Sequence, residues 1–162
     1  MDIIRIDAAS AGKVVPLIAA FRVTLRGYKG VESEPDLKQA EEETAEFLDK
    51  GYPVYAAVQD GDTAGYVVLR TDGPCVWVEH IFVREEYRRR GVASLLFAQA
   101  EALARELGDD TVYNFVHPNN GGMIAFLRSR GYTVLNMLEI RRPWTGETLT
   151  TKVRVDDTEF DY

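Results

Sequence analysis

The apolar positions at the start of the chain predict one short strand followed by two amphipathic helices. The strand lies around Ile3–Ile6, and the first helix covers about residues 12–27, with Pro16 in its first turn. Leu37–Leu48 then shows apolar residues at helical spacing, and Gly51 supplies a stop signal just beyond it. A helix pair is therefore expected before the main body of a sheet.

The next part of the chain predicts an antiparallel meander of strands. Val54–Val58 and Gly65–Leu69 flank the turn QDGD, and a further strand covers Val76–Val83 after the turn TDGP. Glu79 and His80 interrupt the apolar sequence of that last strand. Polar residues inside an otherwise apolar strand need a reason, so both become candidates for chemistry.

Beyond residue 90 the apolar period becomes helical and then alternates again. The predicted elements are a helix over 91–108, a strand over 111–116, a helix over 118–131 and strands over 132–142 and 148–155. Because parallel neighbours need a crossover, the strand ending at Val83 should lie parallel to the one starting at Thr111. The expected fold class is α/β, with a mixed, mostly antiparallel central sheet and helices on both faces. Residues 1–155 are expected to form a single domain, and DDTEFDY predicts a frayed acidic tail over 156–162.

Composition narrows the function classes. The 162-residue chain carries a net charge of -7, which argues against nucleic-acid binding and leaves room for a cationic small molecule. Its single cysteine, Cys75, cannot form an internal disulfide, and no metal-ligand cluster surrounds it. The start of the chain lacks the features of a signal peptide, and no apolar run approaches the ~20 residues that cross a bilayer. A soluble cytoplasmic protein without a membrane partner is therefore expected.

The second predicted helix carries a run of acidic residues. Its glutamates at Glu41–Glu43 and Glu46 are expected to form a solvated helix face.

Positive charge is concentrated where the helix over 91–108 begins. A helix N-terminus carries unpaired N–H groups and about half a positive charge, and a glycine there lets an anion approach the backbone. Ser94 adds a hydroxyl, and arginine side chains can clamp phosphate oxygens. A phosphate or pyrophosphate is the natural ligand, whereas the alternative is a solvated basic loop in front of an ordinary helix.

The surrounding pattern resembles the GNAT family of N-acetyltransferases. Its signature at this helix start is Arg/Gln-x-x-Gly-x-Gly/Ala, which Arg88, Gly91 and Ala93 match. Two further landmarks are Val-x-x-x-Asn after the following strand and a Gly–aromatic pair after the next helix. Residues Val116 and Asn120 match the first, and Gly131 and Tyr132 match the second. The resemblance extends from about Tyr55 to Arg141, over half of the chain.

This resemblance implies acetyl-coenzyme A as the co-substrate and a splayed pair of parallel strands that admits its thioester. The pyrophosphate would lie on the backbone of the arginine–glycine loop, and the pantetheine arm would pair with the preceding strand end. Asn120 would contact the cofactor arm, although simple helix capping is the alternative. The implied cofactor-binding residues are Ile81, Phe82, Val83, Arg88, Arg89, Arg90, Gly91, Val92, Ala93, Ser94 and Asn120.

Acetyl transfer to a primary amine requires a group that takes a proton from the amine. Many relatives place a catalytic glutamate where Glu79 stands, so Glu79 is the expected general base in a direct attack. The alternative is a strand glutamate that points to solvent or to an arginine. His80 is a reserve candidate, since it should point to the opposite face unless a bulge changes the strand. A backbone N–H near Ile81 or Phe82 would stabilise the carbonyl oxygen.

One position departs from the family pattern. Relatives often carry a tyrosine as general acid seven residues after the helix asparagine, and here that position is Leu127. Leucine cannot donate a proton, which leaves open a non-catalytic acetyl-coenzyme A-binding or interaction module of the same fold. The main expectation is an N-acetyltransferase acting on a primary amine, which could belong to a small metabolite, an antibiotic-like polyamine, or a protein N-terminus or lysine. The acidic balance favours a small cationic molecule. The resemblance also suggests a homodimer through the C-terminal strands.

Overall fold

The computed structural model describes residues 1–162, which divide into two compact units, Met1–Phe115 and Val116–Tyr162. The first unit contains β1 (Asp2–Arg5), α1 (Val15–Tyr28), α2 (Leu37–Asp49), β2 (Val54–Gln59), β3 (Asp62–Asp72), β4 (Cys75–Val83), α3 (Val92–Leu107) and β5 (Val112–Asn114). The second unit contains α4 (Gly121–Ser129), β6 (Lys152–Val155) and β7 (Thr158–Asp161). None of the helices is long and apolar enough to span a bilayer.

The first unit is built on a five-stranded sheet in the order β1-β2-β3-β4-β5. All neighbouring pairs are antiparallel except β4 and β5, which are parallel and joined by α3. The predicted mixed α/β fold and its parallel strand pair are therefore confirmed. The strand predicted over 111–116 is shorter than expected, because its pairing with β4 stops at Asn114.

Helices cover both faces of this sheet. Tyr66 and Val68 of β3 belong to the same buried cluster as residues of α1 and α2, so the helix pair packs on their face. Gly65 lies on the opposite face, where a Cβ would come within 3.2 Å of Leu96 of α3. The buried residues of α3 are Val92, Leu96, Phe97, Ala100 and Ala104. We refer below to the helix-pair face and the α3 face of the sheet.

The second unit differs from the predicted pattern in four places, one of which is that the strand predicted over 148–155 begins only at Lys152. The helix predicted from Pro118 begins later, at Gly121, with Asn120 as its N-cap. The strand predicted over 132–142 does not form. The frayed tail predicted over 156–162 contains β7, which pairs with β6 from Val155–Thr158 to Lys152–Asp161.

The missing strand has a physical explanation. Val134 is 85% exposed and Leu135 is 72% exposed, so neighbouring side chains on both sides of the segment face solvent. Alternating apolar residues stabilise a strand only when one face is buried and the backbone is paired. The sequence pattern carries the apolar residues but cannot show whether a partner strand is present.

Candidate active site

The start of α3 presents unpaired backbone donors, as the sequence predicts. Gly91 is the N-cap residue and has a φ of 81°, a left-handed conformation that glycine adopts without strain. No side chain caps this end, and the first intrahelical bond runs from the Leu95 N–H to the Gly91 carbonyl. The N–H groups of Val92, Ala93 and Ser94 consequently lack acceptors within the chain, which makes this end suitable for an anion.

The three arginines before Gly91 have different surroundings. The Arg88 guanidinium folds back, where its Nε donates to the Val83 carbonyl at 3.0 Å and its Cζ lies 5.9 Å from the centre of the Phe82 ring. Arg88 thus ties the loop to the end of β4. The Arg90 guanidinium lies 5.8 Å from the Tyr87 ring, and the Arg89 and Arg90 side chains are exposed.

An open strand edge lies beside the end of the parallel pair. Val76, Trp77 and Val78 pair with β5, but β4 continues for five more residues to Val83 without a β5 partner. Ile81, Phe82 and Val83 belong to this unpaired stretch. Their position fits the expectation that an extended ligand adds to this edge.

Asn114 is a candidate site residue that the sequence did not reveal. It is the last β5 residue of the parallel ladder, and its side-chain Nδ2 donates to the Val112 carbonyl at 3.0 Å. Its Oδ1 is buried and has no hydrogen-bond partner. A buried unpaired acceptor is costly, so it calls for a donor from a ligand. The amide N–H groups of a pantetheine arm would meet that need, so the residues present fit coenzyme A.

A bulge in β4 sets the direction of the candidate catalytic side chains. Leu69 pairs with Val78 and Val68 pairs with His80, so Glu79 is an extra residue without a partner on β3. Val78 consequently lies on the α3 face, whereas His80 lies on the helix-pair face. In a regular strand these two residues would share a face.

The Glu79 carboxylate is held by an arginine. Its Oε1 accepts a hydrogen bond from Arg70 Nε at 2.5 Å, and the two side chains are 28% and 27% exposed. This bond raises the pKa of the Arg70 guanidinium. Arg70 also lies over the Trp77 ring at 5.2 Å. Glu79 therefore points to an arginine, as in the alternative to a catalytic role that the sequence allows. Its side chain keeps partial access to solvent.

His80 is buried in a polar network that joins the helix pair to the sheet. Only 5% of the residue is exposed, and its ring lies 4.4 Å from that of Phe21 and 5.0 Å from that of Phe47. Its Nδ1 is 3.1 Å from the Tyr66 hydroxyl, and its Nε2 is 3.4 Å from a Glu43 carboxylate oxygen. Both ring nitrogens are engaged, so the structure gives His80 a linking role between β3, β4 and α2.

The protonation of this network follows from burial. Desolvation by burial, together with the positive charge of Arg22, lowers the pKa of His80 to about 3. A neutral imidazole can accept from the Tyr66 hydroxyl and donate toward Glu43, which also accepts from Arg22 Nε at 3.0 Å. Burial likewise raises the pKa of Tyr66. The prediction of a solvated acidic face is wrong for Glu43, whose side chain is only 11% exposed because it faces this network.

The two sequence-predicted features of the second unit have local roles. Asn120 caps α4, since its Oδ1 accepts from the Met123 N–H at 3.1 Å. Leu127 is buried and offers no proton at the position where a general acid was sought. The chain has no group of His, Cys, Asp and Glu side chains arranged to hold a metal ion.

A helix start open to an anion, next to a strand edge open to an extended arm, is an arrangement that suits an acyl-coenzyme A. The sequence pattern of the acetyltransferase (GNAT) family matches residues 18–132, and the chain belongs to this family. It is an acetyl-CoA-dependent N-acetyltransferase with acetyl-CoA as co-substrate. No curated protein sequence matches the chain.

Solved structures share the fold at low sequence identity. An aminoglycoside antibiotic 6'-N-acetyltransferase from Acinetobacter haemolyticus is 21% identical, with a TM-score of 0.66 over 89% of this chain and 99% of that one. A ribosomal-protein-alanine N-acetyltransferase from Brucella melitensis is 19% identical, with a TM-score of 0.69 over 88% and 99% of the two chains. A second aminoglycoside enzyme, solved with a CoA bisubstrate analogue, is 20% identical with a TM-score of 0.67 over 88% and 97%.

Proposed function

We propose that the protein transfers the acetyl group of acetyl-CoA to the primary amine of a small cationic molecule, with Glu79 as general base. The observation that carries this proposal is the β4 bulge at Glu79. It puts a carboxylate directly after the last parallel pair of β4 and β5, where the strand edge opens. A base at this point can reach an amine that approaches the opening from the helix-pair face.

The seat for acetyl-CoA is built mainly from backbone groups. The N–H groups of Val92, Ala93 and Ser94 would bind the pyrophosphate, with the exposed Arg89 and Arg90 adding positive charge. The β4 edge from Ile81 to Val83 would pair with the pantetheine arm. In this proposal Asn120 also contacts the cofactor arm, in addition to capping α4. The bound cofactor supplies an acetyl thioester, and the chain supplies its position.

Glu79 would take the proton that the amine must lose. Arg70 Nε lies 2.5 Å from Glu79 Oε1 and fixes the position of the carboxylate at the strand opening. As the amine nitrogen bonds to the acetyl carbon, its proton passes to Glu79 and the carbon–sulfur bond breaks, which releases the coenzyme A thiolate. A backbone N–H near Ile81 or Phe82 would stabilise the carbonyl oxygen. Water would protonate the thiolate, because Leu127 cannot.

Charge supports a cationic acceptor. The chain has a net charge of -7, and Glu41, Glu42 and Glu46 are exposed on α2, which packs on the helix-pair face. A negative surface raises the local concentration of a cation. Two of the structurally similar enzymes are named for aminoglycosides, which are polyamines, and one for a ribosomal protein. A small cationic amine is the acceptor that the charge of this chain favours.

A homodimer and a cytoplasmic location complete the proposal. The segment after α4 exposes large apolar side chains: Val134, Leu135, Met137, Leu138, Ile140 and Trp144. A second copy of the same chain would bury them, and apolar patches of this kind mark interaction surfaces. The cytoplasm is proposed because acetyl-CoA is an intracellular metabolite.

The experiment is to incubate the protein with acetyl-CoA and a panel of primary amines and to measure release of free thiol. We expect release with cationic amines and a loss of about 100-fold or more in kcat for Glu79→Gln, in line with removal of a general base. Glu106→Gln is the matched control, since Glu106 is an exposed carboxylate on α3. Equal rates for both variants would contradict the role of Glu79. Tight acetyl-CoA binding without thiol release from any amine would instead indicate a non-catalytic binding module, the reading that Leu127 favours.

A further inference from the structure

Three aromatic rings form an open stack at the end of the parallel strand pair. The Trp77 ring is 4.8 Å from the Tyr113 ring, with an interplanar angle of 28°. It is also 4.8 Å from the Phe115 ring, with an angle of 18°. Phe115 is 63% exposed, whereas Trp77 and Tyr113 are only partly exposed. Phe115 is therefore the ring of the stack with the most surface still open to solvent.

This stack lies on the same face of the sheet as Glu79. Trp77 pairs with Arg70 across β3 and β4, and the Arg70 guanidinium lies over the Trp77 ring. The same guanidinium holds the Glu79 carboxylate. Phe115 directly follows the last residue of β5, where the parallel ladder has ended. The rings, the ion pair and the open strand edge thus form one continuous surface.

Resting on the proposed function, we infer that this stack selects an acceptor whose amine is attached by a short chain to a flat aromatic ring. The rings already stack nearly parallel, which is the arrangement that another flat ring continues with the most contact area. A protonated amine next to these rings gains from their π faces and from the Glu79 carboxylate. The short chain is needed because the amine must reach Glu79 while the ring lies on Phe115.

Other features of the surface agree with this choice. Tyr52, which follows α2, stacks on Phe47 with the two ring centroids 6.1 Å apart, and the Lys50 ammonium lies 5.9 Å from the centre of the Tyr52 ring. Aromatic surface and a cation therefore already lie together at the C-terminal end of α2. Binding of a ring-bearing ammonium ion would bury apolar surface that is exposed on this side of the sheet.

The test compares 2-phenylethylamine, 2-cyclohexylethylamine and n-hexylamine, which are primary amines of similar size that differ in planarity and ring content. Binding of each to the protein in the presence of coenzyme A is measured by calorimetry, which needs no turnover. We expect 2-phenylethylamine to bind about five- to tenfold more tightly than the other two amines, as an aromatic contact of this kind provides. Phe115→Leu should remove this preference, so that the three amines bind with similar affinity.

Leu107→Ala is the control, because Leu107 is a 40% exposed apolar residue on α3, which covers the opposite face. It should keep the preference for the flat ring. Equal binding of the three amines to the unaltered protein would overturn the inference, as would a preference that survives Phe115→Leu. Preferential binding of 2-phenylethylamine without thiol release would support the aromatic stack as a binding site and count against acetyl transfer. The inference and the proposed function can therefore fail separately.

Discussion

The two faces of β4 present different kinds of chemical groups. On the α3 side the donors are backbone N–H groups at the start of a helix, next to a strand edge that is itself backbone. On the helix-pair side the chemistry rests on side chains from several elements. Arg70 comes from β3, Glu79, Trp77 and His80 from β4, and Glu43 from α2.

Under the proposed function, this difference suits the α3 side to a shared cofactor and the helix-pair side to a particular acceptor. A backbone seat needs glycine and small residues at fixed spacing, and it accepts many neighbouring side chains. A side-chain surface changes with each substitution, and here it depends on a single extra residue in β4. Substitutions on the α3 side should therefore change the affinity for acetyl-CoA. Substitutions on the helix-pair side should change the binding of the amine or the stability of the packing between the helix pair and the sheet.

Gly65→Ala should give the largest effect on the α3 side. A Cβ at Gly65 would lie 2.6 Å from the Phe82 carbonyl oxygen and 3.2 Å from the Val83 Cα, so the end of β4 must move. Overpacking of this kind lowers the free energy of unfolding by about 1–3 kcal/mol. Acetyl-CoA affinity, measured by calorimetry, should fall as well, because the open strand edge is displaced.

Gly27→Ala is the matched control for that variant. Gly27 lies in α1, and a Cβ there meets no atom within 4 Å. Alanine in a helix is favoured over glycine by roughly 0.5–1 kcal/mol, so denaturant unfolding should show equal or higher stability. Normal acetyl-CoA affinity in Gly65→Ala would show that the end of β4 is not part of the seat.

His80→Gln tests the helix-pair side through its dependence on pH. In the folded protein the pKa of His80 is about 3, below its ordinary value of 6.5, so the unfolded chain takes up the proton first as the pH falls. The stability that neutral His80 provides is complete above pH 6.5 and decreases below it by about 1.4 kcal/mol per pH unit, until the pH reaches the folded pKa.

The measurement is urea unfolding of both proteins between pH 7.5 and 5. The stability difference between the unaltered protein and His80→Gln should shrink toward acid by about 2 kcal/mol over that range. Substitution of the other histidine, as His117→Gln, controls for the general acid sensitivity of the fold. His80 is faced by Tyr66, Glu43, Arg22 and two phenylalanine rings, and a difference that stays constant with pH would mean that burial and the Arg22 charge do not hold it neutral.

Much of the first unit could be predicted from the sequence because its signals are local. The helix start at Gly91 is marked by glycine, small residues and arginines, and the parallel pair follows from the helix that connects its strands. The helix pair and the antiparallel meander can be predicted from the spacing of apolar residues along the chain. In α3, Leu95 and Leu107 are exposed while Phe97 and Ala104 are buried, so the spacing of apolar residues alone does not identify its buried face.

The rest depends on contacts that no local pattern records. The bulge at Glu79 is a property of the pairing between β3 and β4, and only this pairing turns His80 toward Glu43. Glu43 belongs to the same run of glutamates as its exposed neighbours Glu41 and Glu42, so the sequence does not distinguish it from them. The segment over 132–142 alternates like a strand, but strand formation requires a partner that its own residues do not reveal. The stack of Trp77 and Phe115 likewise joins residues far apart in the chain.

Calorimetric titration of acetyl-CoA into Ser94→Asp, compared with Ala102→Asp, tests the central claim most directly. Both positions are exposed on α3, but only Ser94 lies in its first turn. An acidic residue there stabilises the helix, so the melting temperature should not fall, while its carboxylate occupies the free N–H groups and repels a pyrophosphate. The account predicts that Ser94→Asp weakens binding by about tenfold or more and that Ala102→Asp leaves it unchanged. Equal affinities for the two variants would contradict a pyrophosphate seat at the start of α3.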